Sequence, residues 1–157
     1  MTTAREMMTK RLITVRPDMR TLDAVRLLLK NRVSGAPVVD EDYRLIGMLS
    51  EKDCIQALLR AVAERLPSSM VRDVMSTEVV TISEESDLLS IAHLFVTKPL
   101  RRIPVVRADR TLVGQISRRD LLSSAVKVWD AAPNRQAAVL YLSATGQQTP
   151  FAVPARR

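Results

Sequence analysis

The stretch GAPVVDEDYRLIGMLSEKD, residues 35–53, occurs twice in this chain of 157 residues. Sixty-seven positions later, residues 102–120 read RIPVVRADRTLVGQISRRD, with no insertion or deletion between the two copies. Eight positions are identical in both copies, and in the first they are Pro37, Val38, Val39, Asp42, Leu45, Gly47, Ser50 and Asp53. Such a regular repeat indicates that the chain consists of two equivalent structural units.

The residues around each copy predict the same order of elements, which is strand, helix, strand, strand, helix. In the first unit, β-prone residues predict a strand at 12–15, and apolar residues at helical spacing predict a helix over 21–33 that stops at Ser34 and Gly35. An acidic turn at 40–42 separates predicted strands at 36–39 and 45–49, and a helix follows from Ser50 to 65. The second unit predicts a polar or helical connector at 68–75, a strand at 79–82, a helix at 88–96, strands at 103–106 and 112–116, and a helix at 117–128.

A single unit is too small to be stable alone, because roughly 60 residues bury only a modest core. The expected fold is therefore α/β (α+β), with two β-α-β-β-α repeats related by pseudo-two-fold symmetry and sharing one core. The predicted boundaries are 8–66 for the first repeat, 67–128 for the second and 129–157 for a C-terminal extension that is partly a loose tail. Within that extension, the apolar residues 137–142 are expected to add one strand or helix.

Composition limits the classes of function. The formal net charge is +7 and the pI is about 10.3, which favours anionic partners without identifying one. Aromatic residues make up only 3% of the chain, so the sequence argues against a stacking surface for nucleic acid. No apolar run reaches the length of about 18 residues that a membrane span requires. A single cysteine, Cys54, cannot form an internal disulfide, and cytoplasmic residence is expected.

The sequence predicts no catalytic or metal site. His93 is the only histidine and is expected on an exposed or half-buried helix face, whereas Cys54 is expected to be a buried structural thiol. With four glycines in the chain, no glycine-rich phosphate loop is present. The methionines, including Met8, Met48, Met70 and Met75, are expected to fill the core. The chain is therefore not expected to be an enzyme.

The ends of the two quoted stretches predict helix caps. Ser50 and Ser117 are expected to cap their helices, and the acids three residues later, Asp53 and Asp120, to bond back to the cap. A helix N-terminus that faces a cleft also attracts phosphate through its free N–H groups. The cap and a ligand-binding role are therefore compatible.

Both copies share one pattern, in which an apolar residue, Pro, Val and Val are followed later by Gly, one residue, an apolar residue, Ser, two residues and Asp. This doubled pattern resembles the tandem cystathionine-β-synthase (CBS) domain pair, or Bateman module. The resemblance covers residues 8–126 and includes a Thr-apolar pair before each copy, Thr14-Val15 and Thr81-Ile82. It implies a stand-alone regulatory protein of the bacterial type. It also implies a regulatory ligand, AMP, ADP, ATP or S-adenosylmethionine, bound in clefts between the repeats, and no obligatory cofactor.

The resemblance also implies which residues contact the ligand. Asp53 and Asp120 would accept the ribose hydroxyls, with Ser50 and Ser117 at the helix caps. An apolar slot for the base would be formed by Thr14, Val15, Ala36 and Pro37 in the first repeat and by Thr81, Ile82, Ile103 and Pro104 in the second.

The two repeats differ in the charges beside these motifs. The first has Ser34-Gly35 and Glu51-Lys52 where the second has Arg101-Arg102 and Arg118-Arg119. If the two loops border one cleft, four guanidinium groups converge near the cap of the last helix and suit a di- or triphosphate. The first site is then expected to bind phosphate less well. The turns also differ, because Arg107 stands where the first copy has Asp40.

Three functions remain open at this point. The first is a non-catalytic module that senses an adenosyl ligand and signals through an unidentified partner protein or through a homodimer. The second is a ligand-free dimerising scaffold. The third is a basic nucleic-acid-binding protein, against which the low aromatic content argues.

Overall fold

The computed structural model describes residues 1–65, 67 and 69–131, so the expectations for residues 137–142 and the tail lie outside the described residues. Its elements, in chain order, are α1 (Ala4–Met7), α2 (Thr21–Asn31), β1 (Gly35–Val39), β2 (Leu45–Ser50), α3 (Glu51–Glu64), α4 (Val71–Val74), α5 (Leu88–Thr97), β3 (Arg102–Val106), β4 (Leu112–Ser117) and α6 (Arg118–Ala131). The expected mixed fold of two repeats is confirmed.

Each repeat contains an antiparallel hairpin in the same register, with Val38 opposite Gly47 in the first and Val105 opposite Gly114 in the second. The turns differ, as expected. In the first, Asp40 Oδ1 accepts hydrogen bonds from the backbone N–H groups of residues 42 and 44, at 3.0 and 2.9 Å. In the second, where Arg107 cannot accept, Asp109 Oδ1 accepts from the N–H of Thr111 at 3.0 Å.

The strands predicted at 12–15 and 79–82 are wrong. Each segment makes only one parallel bridge, between Val15 and Val38 and between Ile82 and Val105. Prolines explain why the pairing stops in the first repeat, because Pro37 has no N–H for the next bond on one side and Pro17 has none on the other. Pro104 limits the second bridge in the same way on one side.

Some helix ends also differ from prediction. Helix α2 ends at Asn31, before Ser34 and Gly35, because Arg32 adopts a left-handed conformation (φ 53°) and its N–H bonds to the carbonyls of Leu28 and Leu29. Helix α3 ends at Glu64, with Arg65 in the same conformation (φ 52°). Helix α6 continues to Ala131, past the expected end at residue 128.

Short helices before each repeat pack into the core of the other repeat. Ala4, Met7 and Met8 are buried with Ile91 and Ile103 of the second repeat. Val71 of α4 is fully buried in the core of the first. Helix α1 lies in a segment that the sequence analysis left unassigned, although Thr3 and Glu6 form a capping box there.

This exchange of short segments between the repeats follows the offset of 67 residues. Thr9 pairs with Gln115 of β4, and Ser76, 67 positions after Thr9, pairs with Met48 of β2. Around the pseudo-two-fold axis, Arg44 pairs with Thr111, and a joint apolar cluster joins the two units through Val39, Leu45, Val106 and Leu112. Each repeat thus completes its core with a segment from the other, and the third cluster connects both.

Candidate functional site

A cleft of about 640 Å³ lies between the two repeats at the start of α3, and we call it the α3 cleft. The first repeat contributes residues 34–35, 48–52 and 55–56, and the second contributes Ser76, residues 78–80, residues 99–102 and Pro104. The pairing of Ser76 with Met48 holds the second repeat's segment beside β2, with both N···O distances at 2.9 Å. The segment exchange therefore creates a site with walls from both repeats.

Apolar groups line much of this cleft. They include Ile55, the residues Val79 and Val80 that follow the bridge, Leu100 and Pro104. Such walls suit a flat apolar ring, while a few polar groups set its orientation.

The start of α3 is capped as the sequence predicts. Asp53 Oδ2 accepts hydrogen bonds from the backbone N–H and the hydroxyl of Ser50, at 2.8 and 2.7 Å. The N–H of Asp53 donates to Ser50 Oγ at 3.2 Å. Among the described residues, Asp53 Oδ1 has no hydrogen-bond partner. Asp53 is half-buried, and although it does not line the cleft itself, its cap residue Ser50 does.

The same cap is repeated at α6. Asp120 Oδ2 accepts from the N–H and hydroxyl of Ser117 at 2.8 and 2.6 Å, and the N–H of Asp120 donates to Ser117 Oγ at 3.2 Å. Both predicted caps are confirmed. Each leaves one carboxylate oxygen without a partner in the described part of the chain, so each could accept a further hydrogen bond.

Charges of both signs border the α3 cleft. Glu51 and Glu78 are acidic, and Lys52, Arg101 and Arg102 are basic. A ligand bound there would meet cations at the helix N-terminus and carboxylates nearby.

Arg102 already has partners within the protein. Its Nη1 donates to the carbonyl of Gly35 at 3.0 Å and its Nη2 to Ser34 Oγ at 2.6 Å. Burial lowers the pKa of the Arg102 guanidinium, and Glu51 opposes this shift. Arg101 is exposed. Arg102 thus ties the loop before β1 to the loop before β3, and Arg101 is the more available cation.

The four arginines do not all line the α3 cleft. Arg101 and Arg102 line the α3 cleft, but Arg118 and Arg119 do not, since they lie at the start of α6. The expected convergence of all four at the cap of the last helix stays a prediction. The offset of 67 residues that relates α3 to α6 matches Arg101 and Arg102 to Ser34 and Gly35, which line the α3 cleft.

The other predicted ligand residues fall into two groups. Pro104 and Ser50 line the α3 cleft. Val15, Ala36, Pro37 and Ile103 are almost fully buried, Ile82 is 9% exposed, and Thr14 and Thr81 are half-buried. None of these lines the α3 cleft, and Val15, Ala36, Ile82 and Ile103 belong to the apolar cores.

Sequence reasoning missed several residues of the α3 cleft as ligand contacts, notably Gln56, Glu78 and Leu100. The offset of 67 residues could have identified them. This would have required placing the helix cap of one repeat beside the segment that leads into the other repeat. Applied to α6, the same offset of 67 places Arg11 where the α3 cleft has Glu78, and Arg118 where it has Glu51. From this repeat offset we infer a second cleft at the matching position and call it the α6 cleft. The pairing of Thr9 with Gln115 supports the correspondence.

The reactive side chains lie as expected. His93 is exposed on α5. Cys54 is buried, and burial together with Asp53 and Glu51 raises the pKa of its thiol. Among the residues that the structure describes, no group of three or more His, Cys, Asp and Glu side chains could hold a metal ion. In the same part of the chain, no helix is long and apolar enough to cross a membrane.

Comparison with known proteins identifies the family. The sequence model of the CBS domain matches the chain twice, over residues 4–60 and 71–127. This chain belongs to the CBS domain family. The matched segments agree with the two structural repeats, and the resemblance seen in the sequence is confirmed.

Solved CBS pairs have the same fold. CBSX2, a CBS-pair protein from Arabidopsis thaliana, is 28% identical, with a TM-score of 0.72 over 83% of this chain and 98% of that one. A structure of CBSX2 in complex with AMP is 29% identical, with a TM-score of 0.71 over 80% and 97% of the two chains. CBS pairs of this kind are generally regulatory, non-catalytic domains.

Sequence relatives differ in length. The chloroplastic CBS domain protein CBSX1 of Arabidopsis thaliana is 29% identical over 80% of this chain and 65% of its own length. The inosine-5′-monophosphate dehydrogenase of Methanocaldococcus jannaschii is also 29% identical, over 91% of this chain but only 27% of its own length. The likeness to that enzyme is therefore confined to about a quarter of it.

Proposed function

We propose that this CBS pair is a non-catalytic regulatory module that senses an adenosine-containing ligand in the clefts between its repeats. The observation that carries the proposal is the α3 cleft, in which apolar walls, a capped helix N-terminus and basic side chains surround about 640 Å³. The AMP complex of the relative CBSX2 supports an adenosine compound as the ligand class. The candidates are AMP, ADP, ATP and S-adenosylmethionine.

The cleft offers a partner for each part of such a ligand. The base packs against Val80, Leu100 and Pro104, which are apolar groups of the cleft lining. Asp53 Oδ1, which is not used in the cap, accepts a hydrogen bond from a ribose hydroxyl. A phosphate lies at the N-terminus of α3, where backbone N–H groups, Lys52 and Arg101 favour negative charge.

The α6 cleft is the better phosphate site in this proposal. At matching positions it has Arg11, Arg118 and Arg119, without the two carboxylates that border the α3 cleft. Fewer acids raise the local positive potential, so a di- or triphosphate is favoured there. The preference of the second half for phosphate therefore stays a prediction.

Replacing Arg119 with alanine is expected to weaken ATP binding about tenfold while changing adenosine binding little. Loss of one charge-assisted bond to a phosphate accounts for an effect of this size. Titration calorimetry with ATP and with adenosine measures both affinities. Lys52→Ala changes the corresponding residue of the α3 cleft and reports on that site separately. Equal losses for ATP and adenosine in Arg119→Ala would contradict phosphate contact.

Thermal melting with AMP, ADP, ATP and S-adenosylmethionine tests the sensing function itself. A ligand present at 100 times its dissociation constant adds about 2.7 kcal/mol to the free energy of unfolding. The protein must first be refolded from denaturant to remove any bound nucleotide. If none of the four compounds raises the melting temperature, the sensing proposal fails.

The rival function is a ligand-free dimerising scaffold, and exposed apolar side chains favour it. Ile55, Leu59 and Val62 form a stripe on α3, and Leu122, Val126 and Trp129 form the same stripe 67 positions later on α6. Each of these six side chains is at least 53% exposed. A helix-mediated homodimer would cover both stripes and is compatible with sensing as well as with the scaffold.

Signalling then passes through the dimer or through an unidentified regulated protein. A ligand shifts such an equilibrium only by its different affinity for the two arrangements. Cytoplasmic residence also stays a prediction, based on the single cysteine. Nucleic-acid binding through the basic surface would show a steep salt dependence, and absence of retention on DNA or RNA at low salt would exclude it.

A further inference from the structure

A second cavity, of about 410 Å³, lies away from the α3 cleft, where the N-terminal segment meets the second repeat. We call it the basic pocket. Its lining consists of Arg5, Met8, Lys10, Glu84, Arg107 and Val113. It shares no lining residue with the α3 cleft, so the proposed adenosine site does not explain it.

The basic pocket has more positive than negative charge. Glu84 is 19% exposed and lies between two arginines, with Oε1 3.5 Å from Arg5 Nε and Oε2 3.5 Å from Arg107 Nε. One carboxylate neutralises one cation, and Lys10 is a third cation in the lining. Glu85 pairs with Arg5 at 2.7 Å but is 71% exposed and outside the lining. Even with Glu85 counted, one positive charge remains in excess.

Several donors in the pocket are free. Arg107 contacts Glu84 through Nε, and in the described part of the chain its two terminal nitrogens have no acceptor. The ammonium group of Lys10 likewise has no acceptor among the described residues. A guanidinium edge and an ammonium beside each other suit an anion with several oxygens, such as phosphate.

Attachment of the N-terminal segment does not require these cations. Backbone bonds from the N–H of Ala4 to the carbonyl of Ser86, at 2.8 Å, and from the N–H of Arg5 to that of Glu84, at 2.9 Å, already hold α1. The buried side chains Ala4 and Met7 add apolar contact. The excess of cations therefore calls for a different explanation.

The first half of the molecule has no such set of charges. Sixty-seven positions from Arg5, Lys10, Glu84 and Arg107 stand Arg72, Thr77, Pro17 and Asp40. Of the three cations, only Arg5 has a basic residue, Arg72, at the matching position. Asp40, which matches Arg107, accepts hydrogen bonds within its own turn. Because the fold forms without the extra cations in one half, the basic pocket is a feature of the second half rather than a requirement of the repeat.

We propose that the basic pocket binds a phosphate dianion, either free or as the phosphate group of a small metabolite. The phosphate lies between Arg107 and Lys10, with Arg5 and Glu84 setting the position of the guanidinium groups. Because its ligands come from the N-terminal segment and from the β3–β4 turn, the bound anion strengthens the attachment of α1 to the second repeat. Phosphate binding thereby stabilises the fold, at a site separate from the clefts.

The test uses the double variant Lys10→Thr/Arg107→Asp, which introduces the residues that the first half has at the matching positions. Titration calorimetry measures binding of inorganic phosphate and of methyl phosphate at constant ionic strength set with chloride. We expect saturable binding to the full chain that is weakened at least about tenfold in the double variant, because two charge-assisted contacts are lost. Tighter binding of methyl phosphate identifies a metabolite phosphate as the source, and tighter binding of inorganic phosphate identifies the free ion.

A control variant, Lys30→Thr/Arg60→Asp, makes the same charge change at exposed positions outside both cavities. It is expected to bind phosphate like the parent protein. Failure of both anions to bind the parent, or equal loss in the control and the double variant, would overturn the proposal. Melting temperatures show that each variant is folded. A titration repeated with saturating ATP shows that the site is independent of the clefts, and loss of phosphate binding there would also overturn it.

Discussion

The double variant Asp53→Asn/Asp120→Asn is expected to bind AMP at least about tenfold more weakly than the parent protein and to remain folded. In each cap, one carboxylate oxygen holds the serine and the other has no partner among the described residues. Asparagine keeps a carbonyl oxygen for the serine and turns its NH₂ group towards the cleft. That NH₂ group donates hydrogen bonds and cannot accept one from a ribose hydroxyl.

The size of the effect follows from the bond that is lost. A hydrogen bond to a charged group contributes about 1.5 to 3 kcal/mol, and about 1.4 kcal/mol corresponds to a tenfold change in affinity. Titration calorimetry with AMP measures the loss. The single variants assign it, since Asp53→Asn affects the α3 cleft and Asp120→Asn the α6 cleft.

A matched control is available outside the cleft. Asp73 Oδ2 accepts from the N–H of Met70 at 3.0 Å, in a similar local arrangement at the start of α4. Asp73→Asn should leave AMP binding unchanged. If the double variant at 53 and 120 binds AMP as well as the parent, the ribose assignment is wrong, and the two acids act only as caps.

A second large effect is expected in the oligomeric state. The variant Leu59→Glu/Val126→Glu should be a monomer at concentrations where the parent protein is a dimer. Leu59 and Val126 are 64% and 57% exposed and occupy matching positions in the two apolar stripes. Glutamate preserves helix propensity, so the change acts on the surface rather than on the helix.

The size of the change in dimer affinity can be estimated from the apolar surface that the variant removes from the interface. Each apolar side chain removed from an interface costs about 1.5 to 3 kcal/mol, and a two-fold dimer loses four of them. The dimer dissociation constant should therefore rise at least about a thousandfold. Light scattering coupled to size-exclusion chromatography measures the mass directly.

The control is Arg60→Glu/Lys127→Glu, which changes the exposed residue next to each of these positions. It introduces the same acidic groups without removing apolar surface, and it should remain a dimer. A parent protein that is monomeric at high concentration, or a Leu59→Glu/Val126→Glu variant that stays dimeric, would contradict a dimer formed through these stripes.

Much of the local structure follows from residues that are close in sequence. The hairpins, the serine caps and the α3 and α6 helices depend on turns, hydrogen bonds and apolar spacing within a few positions. The bridges at Val15 and Ile82 were harder to predict, because a β-prone run indicates an extended chain but not how far its pairing continues. Helix α1 has four residues, too few for apolar periodicity to reveal it.

The candidate site was predicted only in part. The caps at Ser50 and Ser117 are where the sequence places them. Arg101 and Arg102 line the α3 cleft whereas Arg118 and Arg119 do not, and the buried side chains Ala36 and Ile103 belong to the cores. A motif identifies residues that lie near a site, but burial decides which side chains reach it.

The sequence alone determined that this protein has two equivalent repeats, each with a capped helix after a hairpin, because those features depend on neighbouring residues. The tertiary structure decided which repeat each connecting segment joins. Both repeats offer the same pattern of apolar residues and backbone groups, so local sequence cannot distinguish Thr9 pairing with Gln115 from pairing with Met48. Only the packing of the whole chain makes that choice, and with it the charges that border each cleft.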